Sequence, residues 1–124
     1  MKPGTTRFLD RAAQAVEAAV ALHDEGALDP AAGRAYYAML YTAKALLNER
    51  GLRLRTHAAI EAALFRQWVE PGLLDAECHR WFRDALARRG RHTDDELLGD
   101  DVERLIDQAR AFLDAVRRLQ ARDA

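Results

Sequence analysis

The sequence has one cysteine, Cys78, among 124 residues. A lone cysteine cannot form a disulfide within the chain, and neither a CxxC pair nor a Cys/His ligand spacing occurs, so a cystine scaffold and a thiolate zinc site are both excluded. The metal motif HExxH is absent, as are the phosphate-binding loops GxGxxG and GxxxxGKS/T and the nucleophile elbow GxSxG. We therefore expect no bound metal, no cofactor and a reducing, cytoplasmic location.

The sequence also lacks a long apolar run and an excess of charge of either sign. No stretch approaches the roughly 18 to 20 apolar residues that cross a bilayer, and the N-terminus has no signal-peptide core, so we expect no membrane association. The 19 Lys and Arg residues balance 20 Asp and Glu residues, for a net charge of −1. This balance excludes a polycation that coats nucleic acid along its whole surface, so contact with a polyanion requires a local patch.

Residues that favour β-strands are scarce. The sequence has 12 β-branched residues against 25 alanines, and 49% of its residues are hydrophobic. This composition favours helices and supplies enough apolar residues for one core, while the length suits one domain. We therefore predict an all-α fold and a single domain over residues 1–124.

Glycine, proline and capping residues divide the sequence into five segments whose apolar residues recur at three- and four-residue steps. The predicted helices run from Thr6 to Glu25, from an N-cap at Asp29 to Gly51, from a cap at Thr56 to Trp68, from Leu74 or Asp75 to near Gly90, and from a capping box at Asp100 onward. Helices joined by short loops pack side by side. The predicted architecture is an antiparallel four- to five-helix up-and-down bundle.

Positive charge is concentrated between residues 80 and 92, where the only acid is Asp84. The cations are Arg80, Arg83, Arg88, Arg89, Arg91 and His92. Cations near the end of a helix complement its dipole, which is one interpretation of the cluster. The other is a phosphate-binding patch, because guanidinium groups match phosphate oxygens and a nearby histidine can transfer a proton.

A polar and aromatic ridge follows the second predicted helix at steps of three and four residues. It consists of Arg34, Tyr37, Tyr41, Lys44 and Asn48. Tyr36 lies on the other, apolar side and is predicted to be in the core. The tyrosines of the ridge are typical of packing, but they also suit base stacking beside a phosphate-binding Arg34 or Lys44.

Other residues have a structural and a functional interpretation. His57 follows the predicted cap and is expected to be satisfied by local backbone or solvent. His23 and His79 are predicted to lie on the surface. The candidate anchors for another protein, which are equally typical of a core, are Trp68, Trp81 and Phe82.

The stretch GRAYYAMLYTAKALLNERGL from residue 33, followed by RTHAAIEAALFRQWVEPGLL from residue 55, resembles the HEPN domain family of small helical prokaryotic proteins. The resemblance covers nearly the whole chain. It implies a bundle that is usually a homodimer and binds nucleotide or RNA. It also implies a minimal nucleotidyltransferase as partner, in a toxin–antitoxin-like pair.

Many members of this family are metal-independent ribonucleases with an arginine followed, after four to six residues, by a histidine. Here Arg88, Arg89, Arg91 and His92 occupy the corresponding region without that spacing. The resemblance therefore implies a degenerate ribonuclease motif and a nucleotide- or RNA-binding module that uses Arg34, Tyr37, Tyr41, Lys44 and Arg91. The alternatives are an endoribonuclease toxin that uses Arg88 or Arg89 with His92, and a non-catalytic protein-interaction bundle.

Overall fold

A computed structural model describes residues 2–89 and 97–122 of the chain. Within these ranges it contains five α-helices and no strand, so the prediction of an all-α helical bundle is confirmed. The helices are α1 (Pro3–Asp24), α2 (Leu28–Glu49), α3 (His57–Leu64), α4 (Ala76–Arg89) and α5 (Gly99–Arg122), and a π-helical turn over Phe65–Val69 continues α3. In this part of the chain no helix has the length and apolarity required to span a membrane.

Helix α1 begins at Pro3, three residues before the predicted Thr6, and two of the predicted N-caps are wrong by two residues. Helix α2 begins at Leu28, so Asp29 lies inside the first turn and is not the N-cap. Helix α5 begins at Gly99, where the Leu98 carbonyl accepts the Val102 N–H, so Asp100 is not the N-cap either. In the first turn an aspartate still complements the helix dipole, and sequence alone does not separate that position from the cap.

The cap predicted for α3 is confirmed. The Thr56 hydroxyl accepts a hydrogen bond from the Ala59 N–H at 3.1 Å. This bond satisfies one of the N–H groups that the first turn of a helix leaves without a partner. It fixes the start of α3, and therefore the position of His57, the first residue of that helix.

Helices α1 and α2 form an antiparallel hairpin. The turn between them contains Gly26 with a φ of +77°, a conformation that glycine adopts without steric cost. At the open end, the Asn48 side chain donates a hydrogen bond to the Thr5 hydroxyl at 3.0 Å. Gly4 permits this close approach, because a Cβ there would lie 2.9 Å from Asn48 Nδ2.

Helix α3 runs in the same direction as α2, whereas consecutive helices of a simple up-and-down bundle run in opposite directions. Its first residue, His57, contacts Tyr36 in the first half of α2. Further along, the Trp68 indole N–H donates to the Leu46 carbonyl at 3.2 Å, near the end of α2. The non-helical segment 50–56 therefore runs back along α2 and places His57 beside the first half of that helix.

The buried side chains form one cluster between the helices. Phe82 of α4 and Phe112 of α5 are its largest fully buried members. Cys78 is also buried, and its burial, with smaller contributions from Asp75 and Glu77, raises the thiol pKa to about 11. The thiol is therefore protonated at neutral pH and has the character of a small apolar core residue.

Candidate functional site

The adjacent tyrosines of α2 point to different environments, as the helical period requires. Tyr36 is 3% exposed and its ring stacks against Phe82, with the ring centroids 6.1 Å apart. Tyr37 is half-buried and meets the Tyr36 ring edge-on at 5.6 Å. The prediction that Tyr36 lies in the core is confirmed, whereas Tyr37 keeps part of its ring accessible.

Arg89, the last residue of α4, lies over both of these tyrosines. Its guanidinium carbon is 4.8 Å from the ring centroid of Tyr36 and 4.7 Å from that of Tyr37. Its Nη2 also donates a hydrogen bond to the Tyr37 hydroxyl at 3.1 Å. A guanidinium stacked on aromatic faces is held in position by cation–π attraction and still has free N–H groups.

A second arginine approaches Tyr37 from within α2. The Arg34 guanidinium carbon is 5.1 Å from the Tyr37 ring centroid, and the Tyr41 ring is 6.1 Å from that ring. Among the described residues, no carboxylate lies within ion-pair distance of Arg34 or Arg89. We call the group formed by Arg34, Tyr36, Tyr37, Tyr41 and Arg89 the Tyr37 cluster. It joins two cations, which have no carboxylate partner among the described residues, to partly accessible aromatic rings.

His57 completes the buried side of the Tyr37 cluster. Its Nδ1 lies 2.7 Å from the Tyr36 hydroxyl. Burial is the largest influence on that hydroxyl and raises its pKa to about 12, so Tyr36 stays protonated and donates the hydrogen bond. Burial first, and then the charges of Arg89 and Lys44, lowers the pKa of His57, so its ring is neutral and accepts at Nδ1. The ring proton consequently lies on Nε2.

The lowered pKa of His57 predicts a loss of stability in mild acid. Below the ordinary value of 6.5 the unfolded chain binds a proton that the folded chain resists, so folding stability falls as the pH drops from 6.5 towards the folded pKa. His57→Asn keeps an acceptor for Tyr36 but cannot titrate. Urea unfolding from pH 8 to pH 5 should show the wild type losing more stability than this variant, and parallel pH profiles would contradict the assignment.

The remaining predicted site residues are distributed around the Tyr37 cluster. Lys44 is half-buried and close enough to influence the His57 ring. The Asn48 amide donates a hydrogen bond to the Thr5 hydroxyl. Arg88 is exposed at the end of α4. Arg91 and His92 lie outside the described residues, so their assignment to a site stays a prediction.

The structure places in the core several residues for which the sequence analysis considered an exposed position. Phe82 is fully buried and Trp68 is 7% exposed, which makes them core residues and not accessible anchors for another protein. The prediction of a surface position for His79 is wrong, because it is 8% exposed, packs against Phe65 and lies 3.4 Å from a Glu61 carboxylate oxygen. His79 and Phe82 are three residues apart, so they share the inner face of α4.

Sequence reasoning missed the contact between Tyr36 and His57. The two residues are 21 positions apart, and the contact depends on the path of segment 50–56. The only local signal was the cap at Thr56, which fixes the start of α3 without indicating what its first side chain meets. In residues 2–89 and 97–122 no group of three or more His, Cys, Asp or Glu side chains is arranged to hold a metal ion.

Comparison with known proteins identifies the family. The HEPN domain model matches residues 5–119. A UPF0332 protein of Gloeobacter violaceus is 35% identical over 85 residues, which cover 68% of each chain. A UPF0332 protein of Thermotoga maritima is 30% identical over 112 residues, 88% of this chain and 85% of that one. A Methanocaldococcus jannaschii protein, provisionally named a toxin, is 24% identical over 115 residues, 90% of this chain and 78% of that one. The chain therefore belongs to the HEPN domain family.

Proposed function

We propose that this HEPN protein binds nucleotides, and RNA in particular, at the Tyr37 cluster. The observation that supports the proposal is the convergence of Arg34 and Arg89 on the Tyr37 ring, at 5.1 and 4.7 Å, with no described carboxylate in ion-pair contact with either. Two guanidinium groups that form no ion pair with a described carboxylate attract a phosphate. A base would stack on the neighbouring Tyr41 ring, 6.1 Å from the Tyr37 ring, or on the outer face of a guanidinium.

The chemistry of the Tyr37 cluster matches both parts of a nucleotide. Guanidinium groups form charge-assisted hydrogen bonds to phosphate oxygens, often in pairs. Stacking of one base on an aromatic side chain contributes about 1–3 kcal/mol and tolerates any base. The Arg89 guanidinium is already held by Tyr36 and Tyr37, so little conformational freedom is lost when it binds a phosphate.

Substitution of Arg34 tests this proposal with a matched control. Arg34→Ala should weaken the binding of a labelled single-stranded RNA about five- to tenfold at low salt, because it removes one exposed phosphate contact. Arg110→Ala should leave the affinity unchanged, because Arg110 lies on α5 beside its own partner Asp107, 3.8 Å away. Equal losses in the two variants, measured by fluorescence anisotropy, would show that only the net charge matters.

A metal-independent endoribonuclease is the second candidate function. It is favoured by the pair of arginines in the last turn of α4, Arg88 and Arg89, and by the provisional name of the Methanocaldococcus jannaschii relative. In such an enzyme Arg88 or Arg89 would hold the scissile phosphate and His92 would help deprotonate the attacking 2′-hydroxyl. Cleavage of labelled RNA in EDTA that disappears in His92→Ala would establish this activity, and binding without cleavage would refute it.

Family membership also supports two proposed partners, a second copy of the chain and a nucleotidyltransferase. Light scattering on the purified chain measures the first, and a homodimer should give twice the 14.0 kDa of one chain. Co-purification of a nucleotidyltransferase encoded by a neighbouring gene, with a tagged copy of this chain as bait, tests the second partner. A monomer mass that does not change with concentration would refute the homodimer.

A further inference from the structure

A second concave site lies between α1, α2 and the non-helical segment 50–56, outside the Tyr37 cluster. This cleft has a volume of about 330 Å³ and eleven lining residues. Ligand pockets in proteins begin at about 300 Å³, so the cleft is large enough for a small molecule the size of one nucleotide. The hairpin of α1 and α2 forms its back, and segment 50–56 forms its front.

The rim of the cleft carries four cations, and the described residues that line it include no acid. They are Arg7 and Arg11 of α1, Lys44 of α2 and Arg53 of segment 50–56. Arg7 and Arg11 are four residues apart, so they lie on the same face of α1. None of the four has a described carboxylate within ion-pair distance. Like charges gathered around one concavity repel one another, and an anion bound among them relieves that repulsion.

Below the rim, apolar side chains form part of the inner surface of the cleft. Phe8, Leu47 and Ile60 contribute side chains to it, and Leu52 and Leu54 contribute from the front. Asn48 is the uncharged polar side chain of the lining. An apolar floor beneath a cationic rim fits a ligand that has a flat, weakly polar part and an anionic part.

We propose that this cleft binds a nucleoside phosphate, with the phosphate at the arginines of the rim and the base against the apolar floor. Inorganic anions alone would use the rim and leave the floor exposed. The cleft differs from the Tyr37 cluster in its residues, so the two sites can be tested separately. They are linked through Lys44, which lines the cleft and continues the ridge that carries Tyr37 and Tyr41.

The nucleotide has two possible sources, a free nucleotide or one unit of an RNA strand. Tyr37 and Lys44 are separated by seven residues of α2, or about 10 Å along the helix axis. That distance corresponds to about three nucleotides of a stacked strand at about 3.4 Å each. If the proposed RNA binding at the Tyr37 cluster is correct, the same strand can reach from that cluster into the cleft.

The test uses the full chain, adenosine monophosphate, oligoadenylate and inorganic phosphate as probes, with affinities measured by calorimetry. Arg7→Ala/Arg11→Ala is the cleft variant, Arg89→Ala reports on the Tyr37 cluster, and Arg110→Ala is the charge control. Arg7 and Arg11 are exposed on a helix, where alanine is favourable, so the variant should fold; circular dichroism checks this.

We expect the cleft variant to lose at least about tenfold in affinity for adenosine monophosphate, for oligoadenylate or for both, while Arg110→Ala loses none. A loss for the mononucleotide identifies a free nucleotide as ligand, and a loss for the oligomer alone identifies a unit of a strand. Unchanged affinity for both probes overturns the proposal. Equal affinity for inorganic phosphate and adenosine monophosphate overturns the role of the apolar floor. Loss in Arg89→Ala alone would leave the Tyr37 cluster as the binding site and refute the cleft.

Discussion

Replacing Arg89 with alanine should weaken the binding of single-stranded RNA by about ten- to one-hundredfold. Arg89 reaches the Tyr37 cluster from α4 and is held over two rings and bonded to the Tyr37 hydroxyl, so it presents its remaining N–H groups to a ligand in a fixed position. A hydrogen bond to a charged group contributes about 1.5–3 kcal/mol, and each 1.4 kcal/mol is about a factor of ten in affinity.

The matched variant for this prediction is Arg89→Lys. Lysine keeps the positive charge but has neither the planar fork nor the stacked geometry of arginine, so its affinity should lie between those of the wild type and Arg89→Ala. Titration of a fluorescent RNA at low salt measures all three proteins. Wild-type affinity in Arg89→Ala would show that the Tyr37 cluster does not contact RNA. Wild-type affinity in Arg89→Lys would show that only charge is required.

Replacing Phe82 with alanine should lower the free energy of unfolding by about 3–5 kcal/mol. Its side chain is fully buried, and truncation of a buried phenylalanine removes apolar contacts and leaves a cavity. Small domains are stable by only about 5–15 kcal/mol, so the loss is a large part of the total. Because Phe82 stacks on Tyr36, the same change also removes the support beneath the Arg89 contact.

Urea unfolding, followed by the fluorescence of Trp68 and Trp81, measures the effect. Phe82→Leu retains most of the side-chain volume and should lose less than about 1.5 kcal/mol. RNA affinity should fall in Phe82→Ala at a temperature where the variant is still folded. A loss below about 1 kcal/mol in Phe82→Ala would contradict the packing described for α4.

The helical periods predicted which faces of the long helices are buried. On α5 the residues at three- and four-residue steps from Val102 to Val116 are all in the core. On α2 the same rule separated Tyr36 from Tyr37. These predictions succeed because a side chain's direction on a helix is fixed by its position in the sequence, whatever the helix packs against.

Helix starts and the path of α3 were less accessible to sequence reasoning. Asp29 and Asp100 lie one residue inside the first turn, where an aspartate is nearly as favourable as at the cap. The direction of α3 depends on segment 50–56, which has no helical period to interpret. It follows instead from two tertiary contacts, that of His57 with Tyr36 and that of Trp68 with Leu46.

The composition of the candidate site was predictable in part. Arg34, Tyr37 and Tyr41 share one face of α2, and the structure brings Arg89 to that face from a different helix. A pattern along one helix indicates which side chains are neighbours but does not indicate which helix packs opposite. The cationic cleft was missed for the same reason, since its rim comes from three separate segments.

The central claim is that Arg34 and Arg89 bind phosphates at the Tyr37 cluster, and the salt dependence of RNA affinity tests it most directly. For single strands, the logarithm of the affinity falls by about 0.7 per phosphate contact for each tenfold rise in salt. We predict that Arg34→Ala/Arg89→Ala has a slope shallower than the wild type by about 1.4, while Arg110→Ala has the wild-type slope. Identical slopes in all three proteins would contradict the claim.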